Sequence, residues 1–333
     1  MIVRARSPLR ISFGGGGTDV NPYCEEHGGV VLNATIDKNA FCNIVPNNKE
    51  EFTIHSLDYN CVNKLKIKDT LSYDGNLDLV KVVINHFNVK EGFDMLLHCD
   101  SPPGSGLGSS STVIVSIIRA VSRFLNQPMS HYEIADLAYK LERIELGIDG
   151  GKQDQYATTF GGFNFMEFGK DVLVNSLRLS RDVIEELEYR LLLIHTQKSR
   201  KSGDNIIVNQ KKVYNDGHTK PYYDRAKDLT MSMKRALLHG HLTQFGEIMS
   251  EQWNNKKNFS SKISNPYIDK LYSTAISNGA IGGKLSGAGG GGYMFFLCDF
   301  QKKHVIANEL EKLGAKIVPF HFAENGCQTW VVE

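Results

Sequence analysis

The sequence predicts an α+β fold in two domains, 1–175 and 176–333, and three observations carry that expectation. Runs with strand alternation and runs with helical spacing of apolar residues interleave in both halves without a strict βαβ repeat. The length, 333 residues, exceeds one ordinary domain and leaves room for two cores. After about residue 175 the pattern restarts with a new strand and a new set of helices.

The elements follow in order. IVRARSPLRISF and VVLNATIDKNAFCNIV alternate and are rich in β-branched residues, and FTIHSLDY continues the pattern, so a sheet opens the chain. LDLVKVVINHF has helical spacing, DMLLHCD reads as a strand, and STVIVSIIRAVSRFLN reads as a helix that begins where the glycines of PPGSGLGSSS stop. Ser130-His131-Tyr132-Glu133 is a capping box ahead of Ile134, Leu137, Ala138, Leu141 and Ile144, a helix that should end at Gly147. GIDGGKQDQYATTFGG reads as a loop and GFNFMEF as a strand. In the second half EYRLLLIHT is a strand, while RAKDLTMSMKRALLHG, LTQFGEIMSEQW and PYIDKLYSTAISNG are helices. GGYMFFLCD, the helix VIANELEKLG and the strand QTWVVE close the chain.

Composition excludes several classes. Lys and Arg number 38 against 37 Asp and Glu, a net charge of +1, which offers no global field for nucleic acid or an acidic membrane. An anionic ligand must be held locally. Cys24, Cys42, Cys61, Cys99, Cys298 and Cys327 form no C-x-x-C, so neither a zinc knuckle nor a disulfide framework is indicated. No apolar run approaches the ~18 residues of a membrane span, and the N-terminus lacks the apolar core of a signal peptide. The expectation is a cytoplasmic monomer or homodimer without nucleic-acid or membrane partners. KKNFSSK, 256 to 262, reads as surface, and the pair His239 and His241 as non-ligating.

Three glycine-rich stretches carry the chemistry. The Walker pattern G-x-x-x-x-G-K-[ST] is absent, because no Gly-Lys pair is followed by Ser or Thr. GAGGGG, 287 to 292, matches G-x-G-x-x-G but follows a predicted helix and enters a strand, the reverse of the order a dinucleotide fold requires. PPGSGLGSSS is a strand-to-helix turn whose backbone N–H groups and hydroxyls can face an anion; an ordinary capped turn is the plain alternative. PLRISFGGGGTD sets a cation, permissive backbone and a carboxylate in one strand-to-loop segment. KLSGAGGGG lets backbone approach a ligand closely near the other end.

Three such segments in this order resemble the GHMP kinases over essentially the whole chain, and P-x-x-x-G-L-x-S-S is the most specific of them. GGGTD followed by NPYCEEHGGVVLNATIDK is most similar to the sugar 1-kinases acting on heptose 7-phosphate and fucose. The resemblance implies an N-terminal domain like ribosomal protein S5 domain 2 and a ferredoxin-like C-terminal domain. It implies ATP as phosphoryl donor, a small sugar phosphate as acceptor and Mg2+. It places Pro103, Gly104, Ser105, Gly106, Leu107, Gly108, Ser109, Ser110 and Ser111 around the nucleotide phosphates, with Ser110 and Glu142 on the metal. Asp154 in the triplet QDQ takes the catalytic place and Arg10 that of the cation beside the reacting oxygens. Gly16, Gly17, Thr18 and Asp19 would meet the sugar, with Gly289 and Gly290 from the third segment. Galactokinases carry Glu and His before Thr-Asp, and glycines stand there here, which speaks against galactose. Lys198 and Arg200, after the strand LLLI, are the candidates for a phosphate on the sugar. The alternatives are a fucokinase-like 1-kinase and a non-catalytic sugar or nucleotide sensor of the same fold.

Overall fold

The computed structural model describes residues 1–58, 60–67, 70–197, 206–215 and 217–333. Its strands are β1 (Ile2–Gly14), β2 (Gly29–Pro46), β3 (Glu51–Ser56), β4 (Cys61–Lys66), β5 (Phe93–Cys99), β6 (Phe163–Phe168), β7 (Val172–Ser176), β8 (Leu191–His195), β9 (Ala280–Leu285), β10 (Tyr293–Cys298), β11 (Lys316–Ile317) and β12 (Gln328–Val332). One sheet runs β12-β1-β2-β5-β3-β4 and forks at the long β2, whose first half pairs β6 and whose second half pairs β5. The other runs β11-β8-β10-β9. The last strand of the chain thus lies beside the first, antiparallel to it from Ile2↔Val332 to Arg6↔Gln328.

Alternation along β1 joins the two sheets. Leu9, Ile11 and Phe13 point one way into a core shared with Phe245 and Met249 of the helix Leu242–Lys256 and with Leu193 and Phe295 of the second sheet. Phe13 meets Phe245 and Phe295 edge-on, at 5.3 and 5.7 Å between ring centroids. Arg10 and Ser12 therefore face the other way, toward the turns. A second core lies under helices Asp78–Phe87, Ser109–Phe124 and His131–Tyr139, against Phe52, Phe93 and Met95.

The mixed layers match the predicted class, and local differences have physical reasons. Gln153–Phe160 is a helix, not loop: glycines and polar residues at its start hide the period, but Tyr156 and Ala157 are buried. AIGGKL is a strand, because its glycines let helix backbone and Phe296 approach; a Cβ on Gly282 would lie 1.8 Å from the Gly246 carbonyl. GAGGGG consequently links two antiparallel strands. The residues before Leu191 belong to the helix Arg181–Arg190 instead of the strand. The capping box at Ser130 forms in both directions.

The glycine run backs onto the 102–111 turn with no side chain between. Gly292 sits at φ 96°, and a Cβ there would stand 2.0 Å from the Ser105 carbonyl oxygen; one on Gly106 would stand 2.5 Å from that of Ser286. Gly292→Ala should therefore cost about 1 to 3 kcal/mol. Thermal melts should place it clearly below Gly169→Ala, where a Cβ meets nothing within 4 Å. Equal melting temperatures would contradict this close approach.

Candidate active site

All three glycine-rich segments contribute to one cavity of about 240 Å³. Its wall includes Arg10, Ser12, Gly16, Gly17 and Asp19 from the first; Gly104, Gly106, Gly108 and Ser109 to Ser111 from the second; and Gly287 and Ala288 from the third. The helix Ser109–Phe124 starts here. Its N-cap, Gly108, is left-handed at φ 81° and no side chain caps the helix, so its first N–H groups and the positive end of its dipole are left for a ligand.

Arg10 is buried and sits at the junction. Its Nε and Nη2 donate to Asp154 Oδ1 at 2.7 and 2.5 Å, and its Nη1 donates to the Gly106 carbonyl at 2.6 Å. Asp154 Oδ2 lies on the Gly108 side, 3.3 Å from where a Cβ of that residue would be. One oxygen is thus tied down and the other faces the 102–111 turn. The neighbouring residues of QDQ serve two further places: Gln153 donates from N and Nε2 to Asp19 Oδ2 at 3.1 and 3.2 Å, and Gln155 Nε2 donates to Glu142 Oε2 at 2.7 Å.

Glu142 is fully buried in a π-helical turn, Lys140–Glu145, that continues the helix His131–Tyr139. Ser111 donates to its Oε2 at 2.7 Å, Arg143 lies 3.3 Å from its Oε1, and Oε1 has no hydrogen-bond partner among the described residues. The hydroxyl of Ser111 also accepts from Arg143 at 3.0 Å and Gln155 at 3.1 Å, so it holds the carboxylate in place.

Other anticipated residues fall elsewhere. Thr18 is buried, and its hydroxyl donates to the Gly15 and Val30 carbonyls, fixing the turn. Ser105 and Leu107 are buried behind the cavity. Gly289 and Gly290 do not line it; they pack on Ile263, whose carbonyl accepts from Gly290 N at 2.9 Å. Lys198 and Arg200 lie outside the described residues. Lys256, read from sequence as surface, is buried in the cavity wall, its Nζ donating to the Gly287 carbonyl at 2.6 Å. Arg143, Gln153, Ser12 and Lys256 were not anticipated; the signal for Arg143 and Gln153 was adjacency to Glu142 and Asp154.

A larger cavity of about 730 Å³ opens beyond the turn and shares Ser109, Ser110 and Ile148 with the first. Leu79, Val80, Leu97, Val113 and Ile117 give it apolar walls, and Ser56, Asp58 and Asn63 polar ones. It can take a flat base and its ribose, with phosphates reaching the helix start. Among the described residues no three His, Cys, Asp or Glu side chains cluster as a metal site, and no helix is long and apolar enough to cross a membrane.

Comparison with known proteins decides the family. Residues 77–162 match the GHMP kinases N terminal domain and 233–316 the GHMP kinases C terminal domain. The chain is 40% identical over 336 residues to D-glycero-alpha-D-manno-heptose 7-phosphate kinase of Campylobacter jejuni, covering 98% of each. The chain belongs to the GHMP kinases. A solved D-glycero-D-manno-heptose 1-phosphate kinase from Bacteroides thetaiotaomicron superposes with a TM-score of 0.84, at 34% identity and 99% coverage of both. The galactose complex of Lactococcus lactis galactokinase, at 19% identity and TM-score 0.79 over 99% of this chain and 95% of that one, shares the fold.

In this GHMP kinase one buried cation bears on stability directly. Lys284 of β9 donates from Nζ to the Ser12 carbonyl at 2.6 Å. Burial first, and then the charges of Lys256 and Arg10, push its pKa well below the ordinary lysine value. The unfolded chain therefore binds the proton more tightly than the folded one. Stability rises with pH between the folded value and the unfolded one near ~10.4, and is lost as pH falls through the folded value. Denaturant titrations across that window should show the wild type gaining on Lys284→Met as pH rises. A gap independent of pH would overturn the assignment.

Proposed function

We propose that this chain transfers the γ-phosphate of ATP to the anomeric hydroxyl of D-glycero-D-manno-heptose 7-phosphate, giving the 1,7-bisphosphate that feeds nucleotide-activated heptose. The chain is an ATP-dependent sugar kinase, a phosphotransferase, and its substrates are ATP and a small sugar phosphate. Full-length likeness to a heptose 7-phosphate kinase supports the finer reading. The observation that carries the reaction type is the uncapped start of the helix Ser109–Phe124 in the same cavity as the Arg10 and Asp154 pair.

In this reading the γ-phosphate lies against Gly106 to Ser110, and Arg143, also in the wall, adds a cation. The acceptor hydroxyl sits between the phosphate and Asp154. Its oxygen bonds to the γ-phosphorus as the bond to the bridging oxygen breaks; ADP leaves with that electron pair, and the hydroxyl proton passes to Asp154 Oδ2. Arg10 keeps that carboxylate aimed and offsets charge on the reacting oxygens. Glu142 Oε1, which has no hydrogen-bond partner among the described residues though Arg143 lies 3.3 Å away, and Ser110, which lines both cavities, fit a hard cation that takes oxygen ligands, Mg2+. Bound there, such an ion would neutralise phosphate charge.

We also propose that residues 1–175 and 176–333 are the two domains, with β12 returning to the first sheet. The test of function is a coupled ADP-release assay over heptose, heptose 1-phosphate, heptose 7-phosphate and fucose, with 31P NMR of the product. Heptose 7-phosphate should give the highest kcat/KM and a new anomeric phosphate. Asp154→Asn should lower kcat by roughly 10²-fold or more with ATP affinity little changed. Preference for another sugar would overturn the substrate, and a fully active Asp154→Asn the role of the carboxylate.

A further inference from the structure

Away from both cavities described above, two arginines meet in a small depression that the phosphoryl transfer does not use. Arg119 and Arg123 lie one turn apart on the helix Ser109–Phe124, so their side chains share a face. Arg119 follows the first residue of that helix by about 15 Å along the axis, which sets it well apart from the 102–111 turn. With Ser122, Asn126, Gln127 and Thr329 the pair lines a depression of about 110 Å³, where the helix end and the loop after it meet β12. Among the described residues no acidic side chain lines it.

The two charges are unmet within the molecule. Neither guanidinium has an ion pair or a hydrogen bond among the described residues, and Nε of Arg119 is shut off from water in that state. A buried donor left unbonded is uncommon and calls for a reason. Capping the helix end is not that reason: the carbonyls of Val121, Ser122 and Arg123 already accept from Leu125 N, Gln127 N and Asn126 N. Burial first, and then the charge of Arg119, push the His131 pKa down; burial raises the Cys327 thiol to about 11, with Arg119 opposing it. No carboxylate among the described residues acts on either neighbour. Like charges at this helical spacing repel each other, and the side-chain amides of Asn126 and Gln127 add donors that no other group engages.

Size narrows the ligand. At ~30 Å³ for each water, a depression of about 110 Å³ has the room of three or four waters, the bulk of one tetrahedral oxyanion and too little for a nucleotide or a peptide. A guanidinium fork matches two oxygens of such an anion at once.

We propose that Arg119 and Arg123 form a second anion site, outside the catalytic cavity, for a single phosphate group, with the two guanidiniums as its cations and the amides of Asn126 and Gln127 as further donors. Its occupant is inorganic phosphate or the phosphate of a small ester, because both present the same tetrahedral dianion. Bound there, the anion ties the helix that begins at the 102–111 turn to the loop before Ser130 and to Thr329 of β12. The site does not depend on which sugar the enzyme phosphorylates.

The test is an NMR titration of the 15N-labelled protein with inorganic phosphate and with glycerol phosphate, at constant ionic strength in chloride. The backbone amides of Ser122, Asn126 and Gln127 report this site separately from those of Gly106 and Ser110 in the catalytic cavity. They should shift saturably with phosphate and not with chloride, and the tighter of the two probes tells whether free phosphate or an ester is preferred. A charge-assisted hydrogen bond to phosphate is worth ~10- to 150-fold in affinity, so Arg119→Met and Arg123→Met should each weaken binding by about that factor. Arg119→Lys should lose less, since it keeps the charge without the fork. Arg235→Met, which removes an exposed charge on the helix Lys220–Leu238, should change nothing. ADP titration checks that each variant folds; if Arg119→Met does not, Arg119→Lys and Arg123→Met, the latter at an exposed position, decide. Shifts that never saturate, or an affinity unchanged in the folded arginine variants, would overturn the site.

Discussion

A guanidinium taken out of water needs partners on every side, and the way Arg10 finds them organises this site. Its donors go to Asp154 and to the Gly106 carbonyl, so one side chain on β1 ties the start of the helix Gln153–Phe160 to the phosphate turn. Arg10 N also donates to the Leu107 carbonyl at 3.1 Å, which fixes the strand itself against that turn. Removing one member of such a buried pair costs about 3 to 5 kcal/mol, chiefly because the other is left charged and unpaired. The carboxylate proposed to take the proton is held by the same side chain that bonds the turn.

Backbone contacts provide the rest. The 102–111 turn and the 284–292 run meet through Gly106, Gly287 and Gly292 at distances that exclude any side chain, and Ser286 Oγ and Arg10 both donate to the Gly106 carbonyl. Gly151 plays the same part on the other wall, where a Cβ would fall 2.0 Å from Asp19 Oδ2. The third glycine segment thus acts mainly by bringing the second sheet up to the phosphate turn, and only Gly287 and Ala288 reach the cavity. Helix, turn and strand are held in fixed positions, so the groups around the reacting atoms need little rearrangement, which is how a phosphoryl transferase does most of its work.

Much of this was legible in the sequence because it is local. PLRISFG alternates, and the alternation alone puts Arg10 and Ser12 opposite Leu9, Ile11 and Phe13. The strand-glycine-helix order of 93 to 124 and the capping box at Ser130 were readable for the same reason. What was not readable depends on distant partners. Nothing near Lys256 in sequence says that the helix carrying it ends beside Gly287, and KKNFSSK looks solvated although Phe259 and Ser260 are buried too. Glu142 sits at the edge of an apolar stripe, and it is the wide π turn, a departure from helical period, that buries it beside Ser111. The short helix Gln153–Phe160 escaped because its first turn is polar, each of its three leading side chains being committed to a different part of the site.

The central claim is that Arg10 and Asp154 act as one unit, the first holding the second for the reaction. A double-mutant cycle on kcat tests it most directly, using Arg10→Met, Asp154→Asn and the double variant, each checked for ADP binding. Residues that act as a unit are strongly non-additive. The double variant should then be about as slow as the slower single variant. Losses that multiply would mean that the two side chains act independently and that the contact between them is not what the chemistry depends on.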